Sequence, residues 1–97
     1  MLGVNSAKYS GKYNIQLVFN NGKEGIANLE DTVLKDKRVI FNKLKDISAF
    51  RDFKIKHSTV VWFDELDLAP EYLFYLAFKD DSTLQEQFEK WGYSHNT

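Results

Sequence analysis

The sequence contains no cysteine, which excludes disulfides, thiolate zinc sites and cysteine nucleophiles. Long apolar runs are absent as well, because the longest, residues 72–78, falls far short of the roughly 20 residues that cross a bilayer. The first residues, MLGVNSAKYSGKY, lack the charged and apolar regions of a secretory signal. These absences predict a cytoplasmic protein in a reducing compartment.

Proline and glycine are scarce: Pro70 is the single proline, and glycine occurs five times. With 43% hydrophobic residues and eight phenylalanines, the composition is that of a globular chain with a substantial core. Ninety-seven residues are enough for one domain. We expect residues 1–80 to form it, and residues 81–97 to add a helix and a tail that pack on the same domain or on a partner.

The net charge of −1 is unevenly distributed along the chain. Residues 35–56 hold eight basic and three acidic side chains, whereas residues 57–97 hold two basic and eight acidic ones. Such asymmetry steers association with a charged partner or with a second copy of the chain. An uneven but solvated surface explains the same pattern. We therefore expect a protein partner or a homodimer, with the solvated surface as the alternative.

Residues 13–29 carry the pattern of a β-hairpin. Every second position of its first part has an apolar or aromatic side chain, at Tyr13, Ile15, Leu17 and Phe19. Asn21-Gly22 follows, and this pair tolerates the two positive φ angles of a type I′ turn. We expect residues 26–29 to return as the antiparallel partner strand. An earlier short strand is expected within residues 2–8.

The next part of the chain predicts short helices and a second hairpin. Residues 30–50 have irregularly spaced apolar positions between basic clusters, which favours one or two short helices. Two β-rich segments, 53–56 and 59–63, are joined by His57-Ser58 as a turn. The expectation is an α+β fold, in which antiparallel hairpins or a meander sheet are packed by short helices and followed by a C-terminal helical segment.

Two further helices are predicted in the last third. Pro70 fits the first turn of a helix, and Glu71 beside it favours the positive end of the helix dipole. Asp67 is expected to cap this turn. A capping-box pattern at residues 82–85 predicts the start of the last helix, which ends near Gly92. The apolar face of that helix consists of Leu84, Phe88 and Trp91.

The helix after Pro70 contains YLFYLAF, residues 72–78, and is apolar on all sides. One contact face cannot bury such a helix, so part of it needs a second cover. The last helix folding back and a partner protein are equally suitable covers. The candidate partner-contacting residues are Phe74, Tyr75, Phe78, Leu84, Phe88 and Trp91.

No constellation of side chains specifies a reaction. The two histidines, His57 and His95, have no second histidine at metal-ligand spacing, and no phosphate-binding or dinucleotide-binding glycine pattern occurs. One acidic group stands out, consisting of Asp64, Glu65, Asp67 and Glu71. Helix capping and solvated loop charge explain it more simply than a metal or catalytic site. We therefore predict no catalytic residue, metal or cofactor, with a small-ligand-binding, metal-binding or enzyme domain as the alternative.

A third alternative is DNA binding through the basic stretch at residues 35–45. Its cations are Lys35, Lys37, Arg38, Lys43 and Lys45. Nucleic-acid modules add interleaved aromatics on a sheet or a helix-turn-helix. Neither is recognisable here, so a solvated helix face is the simpler interpretation.

Three segments carry further motifs: LVFNNGKEGIANLED, FNKLKDISAFRDFKI and VVWFDELDLAPEYLFY. In this order, over roughly residues 2–76, they resemble the small prokaryotic family known as domain of unknown function 2442. The matching positions are Phe19, Asn21, Gly22, Leu29, Phe41, Leu44, Trp62, Asp67, Leu68, Pro70, Glu71 and Leu73. Asn28 stands where the family usually has aspartate, and Phe63-Asp64-Glu65 replaces the Pro-Asn-Gly of many members. A site built on that loop in relatives need not exist here.

This resemblance implies an α+β domain of hairpins and helices without a known catalytic set. It also implies a role, because members are often encoded beside a small partner gene and are suspected to be antitoxins, and some carry an added helix-turn-helix. Our leading hypothesis is a non-enzymatic interaction protein, an antitoxin-like subunit that binds and masks a cognate toxin.

Overall fold

A computed structural model of the protein describes residues 1–93. In this part of the chain, two three-stranded antiparallel sheets are packed by five α-helices and one short 3₁₀ helix. Both sheets have their strands in sequential order, so each is a meander. The predicted α+β fold is confirmed, while His95 and the predicted tail lie outside the described residues.

The first sheet consists of β1 (Val4–Tyr9), β2 (Asn14–Phe19) and β3 (Glu24–Asn28). The predicted hairpin is confirmed, but its turn is of another type. Gly22 has a φ of +87°, whereas the φ of Asn21 is negative. The Gly22 N–H donates to the Phe19 carbonyl at 3.0 Å. The loop is therefore a type I turn followed by a left-handed glycine.

Three helices, not one or two, follow the first sheet: α1 (Glu30–Lys35), α2 (Val39–Lys43) and α3 (Ile47–Phe50). Two aspartates divide this segment. Asp36 has extended backbone angles and accepts the Arg38 N–H at 2.9 Å. Asp46 is also extended and accepts the Ser48 N–H at 3.0 Å. Aspartate side chains that bond the backbone two residues ahead compete with a continuous helix.

The second sheet consists of β4 (Lys54–Lys56), β5 (Thr59–Trp62) and β6 (Leu66–Asp67). His57 and Ser58 have φ of 54° and 62°, so the type I′ turn occurs here and not at Asn21-Gly22. Strand β6 was not predicted. Asp67 pairs with Val61 in this sheet. The N-cap of the next helix is Ala69, without a side-chain hydrogen bond, so the predicted cap role of Asp67 is wrong.

Helix α4 (Pro70–Phe78) begins with Pro70 at its first position and Glu71 in its first turn, as predicted. Its N-cap is Ala69, without a side-chain hydrogen bond. The helix lies against β3, where Gly25 allows a close approach. A Cβ atom at Gly25 would lie 2.9 Å from two ring carbons of Phe78.

The last helical segment is a 3₁₀ helix (Ser82–Leu84) that continues into α5 (Gln85–Trp91). Its cap is Asp81, whose carboxylate accepts the Thr83 N–H at 2.9 Å. The predicted capping box, which begins one residue later, is therefore wrong. The predicted end is confirmed, because Gly92 has a φ of 87° and follows the last turn.

One hydrophobic core joins both sheets and the helices of the described chain. Trp62 is fully buried in it, and its indole N–H donates to the Phe50 carbonyl at 2.7 Å. Phe88 of α5 belongs to the same core, so the last helix folds back on this domain. None of the helices between residues 1 and 93 combines the length and apolar character needed to cross a membrane.

Candidate functional site

An open groove of about 540 Å³ lies between the chain start, the β2–β3 turn and the last helix. Its lining residues are Met1, Leu2, Asn20, Asn21, Lys23, Phe74, Leu84, Gln87 and Trp91. The volume is within the range of ligand-binding pockets. We call this feature the terminal groove.

The first wall of the terminal groove is held by hydrogen bonds between the chain start and the end of β2. The Asn20 side-chain amide donates to the Met1 carbonyl at 2.8 Å, and its backbone N–H donates to the Gly3 carbonyl at 2.8 Å. The Asn21 carboxamide oxygen accepts the Lys23 N–H at 3.0 Å. These bonds place two polar side chains and Lys23 at the rim.

The opposite wall is one face of the last helical segment. Leu84, Gln87 and Trp91 follow at helical spacing, so they point to the same side. Asp81 fixes the start of this segment through the Thr83 hydroxyl and N–H, and these bonds hold the pKa of its carboxyl below the usual value. The wall is therefore anchored before its groove-facing residues begin.

The floor of the terminal groove is Phe74 of α4, which is 3% exposed. Its ring centroid lies 5.0 Å from that of Phe19 and 5.9 Å from that of Trp91, both in edge-to-face geometry. The groove is thus built on an aromatic cluster of the domain's own core. The sequence did not show what covers Phe74. In the structure, side chains of the same chain cover it.

The six candidate partner-contacting residues separate into two groups. Phe74, Leu84 and Trp91 line the terminal groove. Phe88 is buried at 1% exposure, and Tyr75 and Phe78 are half-buried against their neighbours. Tyr75 packs on Phe88 with 5.2 Å between ring centroids, and Phe78 packs on Phe74 at 4.7 Å.

The other groove residues were not identified from the sequence. Leu2, Asn20 and Lys23 come from the opposite end of the chain and meet the last helix only in the folded molecule. Gln87 could have been identified from the sequence. It lies three positions after Leu84 and four before Trp91, so it shares their helix face.

The acidic group does not converge. Asp64 forms an ion pair with Lys56, and this hydrogen bond lowers the pKa of the Asp64 carboxyl. Asp67 lies in β6 and Glu71 in α4. Among residues 1–93, no three histidine, aspartate or glutamate side chains are placed to hold a metal ion.

Part of the positive charge in residues 35–45 is neutralised by local ion pairs. Arg38 contacts Asp36 at 2.8 Å, and the hydrogen bonds between them lower the pKa of the Asp36 carboxyl and raise the pKa of the guanidinium. Lys35 lies 3.5 Å from Asp31 one helical turn away. Lys43 places its ammonium 5.7 Å from the centre of the Phe63 ring.

The fold and site define a small α+β domain with an open groove above an aromatic cluster. Residues 4–79 match the family described as "Protein of unknown function (DUF2442)". Because this match covers most of the 97 residues, the chain belongs to that family, as the sequence motifs indicated. Six family positions are core residues at 0–1% exposure: Phe19, Leu29, Phe41, Leu44, Trp62 and Leu73.

The fold also resembles a solved structure from Nitrosomonas europaea that is described as a "putative DNA binding protein". The TM-score is 0.71, and the match covers 97% of this chain. The sequences are 13% identical, and the chain spans 63% of the length of that structure, so the likeness shows the fold alone. No curated protein matches the sequence significantly.

Proposed function

We propose that this chain is a non-enzymatic protein-interaction domain, an antitoxin-like subunit that binds a partner protein in the terminal groove. The observation that carries the proposal is the groove itself, in which Phe74, Leu84 and Trp91 converge with Leu2. Tryptophan is enriched among the residues that dominate protein interfaces, and Trp91 supplies one at this concave surface. A cytoplasmic location, favoured by the absence of cysteine, is part of the same proposal.

The lining of the groove defines the chemistry of the partner segment. The apolar floor takes one or two bulky apolar side chains, and the amides of Asn21 and Gln87 can bond a polar backbone at the rim. Within residues 1–93, Lys23 is the one charged side chain of this lining, so it favours a carboxylate next to the apolar anchor. We infer that the partner presents an apolar segment flanked by an acidic residue.

An enzyme is less well supported. Among residues 1–93, the lining holds no carboxylate, histidine or serine, and Lys23 has no second catalytic group beside it there. An apolar floor with amides at its rim is suited to binding a partner and not to catalysis.

DNA binding is less well supported too. The name of the Nitrosomonas protein suggests DNA binding. At 13% identity, however, a shared fold does not imply a shared function. The basic stretch contains α2 and the end of α1, which have five and six residues, so neither helix completes two turns. Helix-turn-helix proteins read duplex DNA with a helix laid in the major groove, and these helices are short for that task.

The test is co-expression with the product of the neighbouring gene, followed by co-purification. We expect the wild-type chain to retain that product, Leu84→Asp to lose it because a carboxylate enters the apolar wall, and Lys23→Glu to weaken retention. Leu34→Asp is the matched control, because Leu34 is exposed and lies outside the groove. Circular dichroism checks that each variant is folded.

Two results would contradict this proposal. If the wild-type chain never retains the product, even at low salt, then the product of the neighbouring gene is not its partner. If the purified chain forms a dimer and Leu84→Asp abolishes that dimer, then the groove binds a second copy of the chain. Light scattering on the purified chain distinguishes these outcomes.

A further inference from the structure

A smaller depression adjoins the terminal groove on the other side of the chain start. It has a volume of about 230 Å³, and its lining comes from the chain start, the β4–β5 turn and the first turn of α4. Met1, Leu2 and Asn20 line both depressions, so they form a ridge between the two. We call this smaller depression the second hollow.

The ridge is fixed to both sheets by hydrogen bonds. The Asn20 side-chain amide donates to the Met1 carbonyl at 2.8 Å, and the Val4 N–H donates to the Ser58 carbonyl at 2.8 Å. The chain start is therefore held between the end of β2 and the β4–β5 turn. Leu2 is half-buried on this ridge, so a segment that fills the terminal groove reaches the second hollow by passing over Leu2.

Helix α4 contributes to both depressions and gives the direction between them. Pro70 and Glu71 in its first turn line the second hollow, and Phe74, one turn later, is the floor of the terminal groove. Phe78 follows after one more turn, and its ring centre lies 5.8 Å from the Lys23 ammonium. At a rise of 1.5 Å per residue, the ends of this row are about 10 Å apart along the helix.

The charged side chains of the two depressions have opposite signs and lie at opposite ends. Lys23 belongs to the lining of the terminal groove, and Glu71 belongs to the lining of the second hollow. Within residues 1–93, neither side chain takes part in an ion pair. Burial, and next the charge of the half-buried Glu71, raises the pKa of Tyr93. The neighbour of Glu71 there is a phenol and not a cation, so its charge is not neutralised by that contact.

We propose that the partner segment in the terminal groove continues over Leu2 into the second hollow, where a lysine or arginine of the partner pairs with Glu71. The proposal rests on the proposed function, because it extends the same site. The partner then presents an acidic residue to Lys23, an apolar residue to Phe74 and a basic residue to Glu71, in this order. The reverse order brings like charges together at both ends, and such contacts reject a wrong partner or a wrong orientation.

The length of the row limits the spacing of the charges in the partner. A distance of about 10 Å corresponds to about seven positions of an α-helix or three positions of an extended strand. The partner segment therefore has its acidic and basic residues at one of these two spacings, with an apolar residue between them.

An alternative role for Glu71 needs no partner. A carboxylate in the first turn of a helix interacts favourably with the helix dipole, and Glu71 has this position in α4. Such a role affects the stability of the free chain and leaves its affinity for a partner unchanged. Stability and affinity are therefore measured separately.

The experiment is isothermal titration calorimetry of the purified chain with the product of the neighbouring gene, at low and high salt. We expect Glu71→Gln to weaken binding by up to about fivefold at low salt, because one ion pair is lost, and less at high salt, because salt screens that pair. Glu71→Lys should weaken binding further through repulsion. Glu65→Gln is the matched control, because Glu65 is exposed and lies outside both depressions.

A double-mutant cycle identifies the partner residue. Each lysine and arginine of the product is replaced by glutamine in turn, and each variant is titrated against the wild-type chain and against Glu71→Gln. We expect one position at which the loss of affinity disappears when Glu71 is already replaced, because the two changes remove the same ion pair.

Three outcomes would overturn the proposal. If Glu71→Gln binds as tightly as wild type while Leu84→Asp abolishes binding, the partner fills the terminal groove alone and the proposed function stands. If Glu71→Gln lowers the free energy of unfolding in urea without changing affinity, Glu71 serves the helix dipole. If the wild-type chain does not bind the product at all, the proposed function fails together with this extension of it.

Discussion

Phe74 and Phe63 lie close together in the sequence and have opposite positions in the molecule. Phe74 is 3% exposed and contacts the rings of Phe19, Phe78 and Trp91. Phe63 is 43% exposed, stands on a strained turn and has an ammonium above its ring. The first forms the floor of the terminal groove, and the second lies on the turn between β5 and β6. Burial therefore differs sharply between two phenylalanines that the sequence alone does not distinguish.

Truncating each ring to alanine should affect stability very differently at the two positions. Phe74→Ala should lower the free energy of unfolding by about 3–5 kcal/mol, because a buried ring is replaced by a cavity. Phe63→Ala should change it by no more than about 0.5 kcal/mol, as is usual for exposed positions. Urea unfolding followed by circular dichroism measures both. Equal losses would mean that Phe63 is packed in solution.

A second change acts on the packed region without removing a ring. Gly25→Ala should lower the free energy of unfolding by about 1–3 kcal/mol, because the new Cβ would lie 2.9 Å from the Phe78 ring and force it to move. The double variant Gly25→Ala with Phe78→Leu should recover part of this loss in the same unfolding experiment. If Gly25→Ala alone costs nothing, α4 does not lie as close to β3 as described.

A third change concerns the backbone angle at Phe63. Phe63→Asn should raise the free energy of unfolding by about 1 kcal/mol, because asparagine relieves the strain of a positive φ. The same substitution at Ile26, an exposed residue in a strand, should lower stability, since asparagine is disfavoured in strands. Thermal unfolding compares the two variants, and a destabilised Phe63→Asn would refute the strain at this turn.

The smallest expected effect is a pH dependence at the start of the helix that walls the groove. Hydrogen bonds from Thr83 lower the pKa of Asp81 in the folded state, so its contribution is present above the unfolded pKa of about 3.9 and is lost as pH falls through the folded pKa. Asp81→Asn should therefore be less stable than wild type near neutral pH and should approach it in acid. Parallel melting curves measure this difference. A gap that persists in acid would show that charge is not the cause.

Local patterns predicted much of the fold. The alternation at Ile15 and Leu17, the first-turn position of Pro70 and the left-handed Gly92 are all found as expected. Each depends on an interaction within a few neighbouring residues, so the sequence carries the whole signal. The turn types were less predictable, because His57-Ser58 adopts the type I′ geometry without glycine while Asn21-Gly22 does not.

The wrong predictions have two different causes. Asp67 was expected to cap a helix and instead pairs with Val61, because a two-residue strand is recognisable only beside its partner. The number of helices between residues 30 and 50 depended on Asp36 and Asp46, whose side chains bond the backbone two residues ahead. The second of these signals was visible in the sequence, since aspartate before a short apolar run is a common cap.

The class of the fold, the family and the helix that follows Pro70 could be inferred from local patterns, because periodicity, turn chemistry and motif order act over short stretches of chain. Which aromatic residues are covered, and where the candidate site lies, depends on contacts between distant parts of the chain. The groove joins Leu2 and Lys23 to Leu84 and Trp91, and only folding brings such distant residues together. Whether Phe63 or Phe74 is free to meet a ligand depends on those contacts, and no local pattern encodes them.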